Sequence, residues 1–150
     1  MHSKGPQAEV IARALASLEE RFGIDPGYFR SYHLFTRRND VWCSSRQAGE
    51  VELPQIVRRG LRIARVFEHS VRPTTNAAQL FGHLVRKNRL ELDEHETRLF
   101  LAGKTQEIKV AEGVTEGFVV AFYKGYALGI GLLKKDKLKS QVPRSRRVIG

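Results

Sequence analysis

Residues 118–147 read FVVAFYKGYALGIGLLKKDKLKSQVPRSRR, and this stretch decides the fold class. Residues 118–122 are an apolar, β-branched and aromatic run, Lys124-Gly125 is a turn, and 126–131 is a second run with Gly129 and Gly131 inside it. A basic hairpin follows at Lys134, Lys135, Asp136 and Lys137, then a short strand over 138–142, then a tail with Arg144, Arg146 and Arg147. Short apolar runs separated by glycine turns predict a small β-barrel. Glycine within a strand marks a bulge or a close backbone approach. At 129 and 131 either tight packing or a phosphate against the main chain satisfies that condition.

Upstream the texture is different. Ile11, Leu15, Leu18 and Phe22 recur at helical spacing with Arg13, Glu19 and Glu20 on the other side, which predicts an amphipathic helix stopped by Gly23. Asp25-Pro26 has the form of an N-cap followed by proline at the first helical position, opening a short second helix. Aromatic and β-branched runs at 32–36 and 41–44 flank Arg38-Asn39-Asp40 and predict a hairpin. A brief helix is expected over 52–59, ended by Gly60, and a strand or a mixed segment over 61–67. Thr74-Thr75 precedes a small-residue helix at 76–83, and Asp93 with Glu96 forms a capping box for a further helix closed by Gly103. A strand is expected at 106–110.

The chain has 150 residues, 41% of them hydrophobic, enough for one domain or two small ones sharing a core. Its formal net charge is +10, and the excess is uneven. Residues 118–150 hold eight Lys/Arg against one acid, whereas the preceding 117 hold eighteen against fifteen. A polyanion therefore docks most favourably on the C-terminal fifth, where counterion release adds to affinity. Arg58, Arg59, Arg62 and Arg65 form a second basic cluster, a solvated face or an extension of the same footprint.

The single cysteine, Cys43, excludes an internal disulfide and a multi-thiolate metal site. It follows Trp42 in a strand-like run, with no proline before it, and reads as a buried hydrophobe. His2, His33, His69, His83 and His95 lack i, i+4 spacing, so no metal is expected. Asp93, Glu94 and Glu96 suit a helix start better than acid–base catalysis. Tyr32, Phe35 and Trp42 are assigned to the core in preference to base stacking. No signal-peptide run opens the sequence and no apolar stretch approaches a membrane span, so a cytoplasmic protein without membrane contact is expected.

The package Gly125, Leu128-Gly129-Ile130-Gly131, Leu138-Lys139-Ser140 and Pro143-Arg144 resembles the PUA-like RNA-binding domain at the C-terminus of RsmF-type rRNA cytosine methyltransferases, of the Sun/nucleolar class. Leu99-Phe100-Leu101-Ala102-Gly103 resembles the start of that domain. More faintly, the helix end at 18–23, the 32–44 hairpin and Arg72-Pro73-Thr74 resemble the segment preceding PUA domains. The resemblance implies an α+β protein: a mixed α/β pre-PUA-like unit over 1–92, then a small PUA-like β-barrel over 93–150. It implies binding of structured RNA, rRNA or its precursor or tRNA, through Lys124, Gly125, Tyr126, Gly129, Lys134, Lys135, Lys137, Lys139, Arg144, Arg146 and Arg147.

The S-adenosylmethionine-binding loop and Pro-Cys nucleophile motif of such enzymes are missing, and the length leaves no room for their catalytic domain. The expectation is therefore a non-enzymatic module with no cofactor and no catalytic residues. It would act with a separate methyltransferase subunit or in ribosome assembly. An adaptor with a basic face for an acidic protein is the rival.

Overall fold

A computed structural model describes residues 5–45 and 60–147. The expected helix over 52–59, with Arg58 and Arg59, lies outside these described residues. The described chain is α+β, with two sheets and three α-helices among the described residues.

Helix α1, Pro6–Phe22, starts with proline in its first turn and ends at Gly23, whose φ of 74° lets its N–H return to the Glu19 carbonyl at 2.8 Å. The apolar stripe read from the sequence is the buried one, with Ala14, Leu18 and Phe22 inside. Asp25 caps the short 3-10 turn Pro26–Ser31, its carboxylate accepting from the Gly27 N–H at 2.8 Å. The expected hairpin follows as β1, Tyr32–Arg37, and β2, Asp40–Ser45. Strands β3, Leu61–Val66, and β4, Val71–Pro73, complete an antiparallel sheet in the order β1-β2-β3-β4.

Thr74 caps α2, Thr75–Phe81. A three-residue strand β5, Arg89–Glu91, enters the second sheet before helix α3, Glu94–Leu101. Both halves of the capping box at α3 are made: Asp93 Oδ1 accepts from the Glu96 N–H at 2.7 Å, and Glu96 Oε1 from the Asp93 N–H at 2.8 Å. The β-rich end consists of β6, Thr105–Glu107, β7, Gly117–Tyr123, β8, Tyr126–Lys134, and β9, Lys137–Ser140. These four join β5 in a five-stranded sheet of order β5-β7-β8-β9-β6, antiparallel except for the parallel β5–β7 pair. Strand β6 stops well short of the expected 106–110.

Two cores hold the layers together. The first takes Leu18 and Phe22 from α1, Val41 and Ile63 from the first sheet, Phe81 from α2, and Val120, Phe122 and Ile130 from the second sheet. The second lies on the opposite face of the second sheet: Val119, Ala121, Leu133 and Leu138 close on Phe100 of α3, with Leu90, Leu92 and Val142. The five-stranded sheet is thus covered on both faces, and one apolar core is common to the N- and C-terminal parts.

Gly129 and Gly131 belong to this packing. Both are buried; a Cβ on Gly129 would sit against Phe100 and Thr75, and one on Gly131 would collide with Leu138. The packing alternative is the one realised, and Gly129 is withdrawn from the exposed surface expected to meet RNA.

Candidate nucleic-acid interface

Strand β8 carries exposed cations at both of its ends. Lys124 (φ 48°) and Gly125 (φ 83°) form the two-residue turn between β7 and β8, with Tyr126 77% exposed beside it. Lys135 (φ 49°) and Asp136 (φ 63°) form the turn between β8 and β9. Nine residues separate these turns, roughly 30 Å at the rise of a strand. Lys124, Gly125 and Tyr126 are therefore not brought together with Lys134, Lys135 and Lys137.

The β8–β9 turn concentrates charge. Lys134 is paired in register with Lys137, and like charges directly opposite destabilise a hairpin. Two non-glycine residues at positive φ add strain there. Glu116 Oε2 accepts the Lys135 backbone N–H at 2.8 Å and offsets part of that cost.

A line of polar residues descends from this turn. Along β9, Leu138 and Ser140 point inward while Lys137 and Lys139 are exposed, and Gln141 continues the exposed side. Gln141 Oε1 accepts a hydrogen bond from Arg72 of β4. Arg72 stands opposite Arg65 of β3 in the first sheet. Asp40 lies between Arg65 Nε, at 3.4 Å, and Arg62 Nη1, at 3.3 Å. Exposed ion pairs of this kind contribute ~0–1 kcal/mol, so the effect of Asp40 is to orient two guanidinium groups, leaving the trio net positive.

Arg62, Arg65, Arg72, Thr75, Gln141 and Pro143 line an open groove of about 200 Å³ on the seam between the two sheets. The hydroxyl of Thr75 in this lining is enclosed and has no hydrogen-bond partner among the described residues. The second basic cluster, as far as it is described, thus reaches Gln141 and Pro143, which stand between the exposed Lys139 and Arg144 in the chain. Arg72 and Gln141 complete the seam, and sequence reasoning did not select either for binding. Their signal is the packing of one sheet beside the other, which no local motif reports.

The terminal arginines do different work. Arg144 is exposed next to Pro143. Arg146 donates to Asn76 Oδ1 at 2.7 Å and Gln79 Oε1 at 3.3 Å, fastening the tail to α2. Arg147 Nε donates to the Val142 carbonyl at 3.1 Å, and its side chain lies where a Cβ on Gly103 (φ 79°) would stand. Arg146 and Arg147 are therefore engaged within the protein.

Other polar sites serve the fold. Arg21 donates to the Phe118 carbonyl at 2.6 Å and to both oxygens of Thr115 at 2.5 Å, and burial lowers its pKa. Asn88 donates to the Arg21 carbonyl at 2.6 Å and accepts the Thr115 N–H at 3.0 Å. Together they pin α1 to the loop before β7. Cys43 is buried as expected, and burial pushes its thiol up to about 11, which makes it a poor nucleophile near neutrality. Among the described residues no group of three His, Cys, Asp or Glu side chains is placed to hold a metal ion, and no helix is long and apolar enough to cross a membrane.

An α+β chain whose second sheet is covered on both faces and edged by a cationic seam defines a class, and comparison with known proteins places part of it. Residues 87–148 match the family model described as the methyltransferase RsmF PUA domain, and this segment is a PUA-like domain of the RsmF type. The chain is also similar to ribosomal RNA small subunit methyltransferase F of Aeromonas salmonicida (strain A449), 26% identical over 131 residues. The protein of the same name from Aeromonas hydrophila subsp. hydrophila is 28% identical over 131 residues. Each alignment covers 87% of this chain and 26% of the relative, so the likeness extends beyond residues 87–148, and the chain spans about a quarter of the length of the curated relatives it matches.

Proposed function

We propose that this chain is an RNA-binding module for structured RNA, ribosomal RNA or its precursor or a tRNA, whose work is tied to rRNA methylation. The observation that carries the reading is the seam, where Arg62, Arg65 and Arg72 of the first sheet line one groove with Gln141 and Pro143, just past β9 and its exposed Lys139, on a chain whose residues 87–148 match an RsmF-type PUA domain. Phosphates are held by such cations without base reading, and structured RNA is recognised largely by shape and backbone. Lys134, Lys135, Lys137 and Arg144 extend the grip from the seam. Lys124, Gly125 and Tyr126 form a distal contact that a folded RNA spans from the far end of β8.

In this reading residues 1–92 and 93–150 act as two parts of one binding unit, with β5 reaching across the division. The module itself is not the enzyme and needs no cofactor. It works in the cytoplasm alongside a methyltransferase catalytic unit or during ribosome assembly.

The test is binding of the purified protein to structured rRNA fragments and to a matched DNA duplex across a salt series. A variant with Lys134, Lys137, Lys139 and Arg144 changed to Ala runs in parallel. Preference for folded RNA, weakened by salt and lost in the variant, supports the reading. Equal weak binding to every polyanion, or indifference to the four changes, overturns it in favour of the adaptor with a basic face.

A further inference from the structure

The outer face of the first sheet carries aromatic residues that neither core uses. Tyr32 packs against the first core as expected, but Phe35 and Trp42 belong to neither core, so their assignment to the interior is corrected. Alternation explains the split: Tyr32 and Leu34 of β1 face inward, and His33, Phe35 and Arg37 face outward. Phe35 stands opposite Trp42, and Trp42 stands opposite Arg62.

Ring geometry separates the two faces again. The inner aromatics meet edge-on, with Tyr28 and Tyr32 at 85° and 88° to Phe81. The outer rings are nearly parallel. His33 and Phe35 are 22° apart in orientation with centroids at 5.4 Å, and Phe35 and Trp42 are 20° apart at 6.4 Å. The Arg37 guanidinium lies 4.9 Å from the Trp42 ring centre and 5.7 Å from that of Phe35. The Trp42 indole N–H is enclosed and has no hydrogen-bond partner among the described residues, a cost that phenylalanine at the same place would avoid.

Charge names the occupant. Arg37 lies over the rings and Arg62 stands opposite Trp42, with Asp40 paired to Arg62 and to Arg65. An apolar protein segment laid here would strip water from these guanidinium groups without compensating them. A flat, apolar-faced group joined to an anion satisfies both rings and cations, and the unpaired nucleotide has that chemistry. The geometry points to a stacking platform formed by His33, Phe35 and Trp42 for unpaired nucleotides flanking the folded RNA held on the seam. This inference rests on the RNA-binding reading. Arg62 stands beside both platform and groove, so one backbone runs from the stacked base to the phosphates at Arg65 and Arg72.

Trp42 is the single tryptophan, so intrinsic fluorescence reports on the platform directly. The full chain is titrated with a blunt rRNA hairpin and with the same hairpin extended by about five unpaired nucleotides at either end. The extended RNA is expected to quench Trp42 and to bind roughly ten-fold tighter than the blunt one. Phe35→Ala removes that gain and leaves blunt-hairpin binding unchanged. His33→Ala, an exposed change that spares the fold, reduces it in part. Equal binding of both RNAs with no quenching, or a Phe35→Ala variant that keeps the full gain, overturns the platform while the seam stands. Failure of both RNAs to bind overturns the RNA-binding reading itself, and the platform with it. Quenching by an acidic peptide but not by the extension gives this face to a protein partner.

Discussion

The two sheets solve the same packing problem in opposite ways. The five-stranded sheet is buried on both faces, so β7 reads Phe118, Val119, Val120, Ala121, Phe122 as an unbroken apolar run feeding two cores. The four-stranded sheet buries one face against α1 and α2, and its other face displays Phe35, Trp42 and arginines. The lysines of the second sheet lie at the turns that end β8 and along the exposed side of β9, an inner strand. Among the described residues, the first sheet's outer side offers the exposed His33 and Arg37 and the half-buried Phe35 and Trp42. The seam between them combines the chain leaving β9 with the arginines of the first sheet.

The largest effect that tests this contrast is on stability. Phe100→Ala and Phe122→Ala, one on each side of the second sheet, are expected to cost about 3–5 kcal/mol in urea unfolding. Phe35→Ala on the outer face is expected to cost under about 1 kcal/mol. Comparable losses at Phe35 and Phe100 would break the contrast.

A smaller effect concerns alkaline pH. The folded state holds Cys43 near 11 against an ordinary 9.0, and Tyr32 near 12 against 10.0, the latter through its hydrogen bond with Tyr28 and then burial. Both groups favour the protonated form in the fold. Their stabilisation is complete below pH 9 and is lost as pH rises, first through the Cys43 range and then through that of Tyr32. Cys43→Ala should remove the part of the decline that begins near pH 9, and the native thiol should resist thiol reagents at pH 8. Rapid modification of the native protein would show that the inner face of the first sheet is open.

Smaller still is the helix cap. Asp93→Ala is expected to lower stability by about 1 kcal/mol, because it removes the oxygen that holds the Glu96 N–H. RNA binding at the seam should be unaffected.

The sequence expressed these features unequally. Helix α1, the Asp93 capping box and strands β7 and β8 carry strong local signals: helical apolar spacing, a motif and long apolar runs. Strands β4 and β5 have three residues each, too few for a period to show, and β5 is defined only by parallel pairing with β7. In β1 and β2 aromatic residues stand on both faces, so alternation is visible but does not say which face is inside. The lysine-rich turn was legible as charge. Its continuation through Gln141 and Arg72 to Arg65 was not, because those residues meet only when two sheets pack. Gly129 looked equally suited to packing and to phosphate contact until Phe100 and Thr75 occupied its missing side chain's space.

The seam is tested most directly by the salt dependence of binding to one structured rRNA fragment, measured for the wild type and for a variant with Arg65, Arg72 and Lys139 changed to Ala. The expected result is weaker binding and a shallower dependence of log K on log salt, with the slope reduced by roughly two to three as up to three phosphate contacts are lost. Unchanged affinity and slope would contradict the seam as the place where RNA is held.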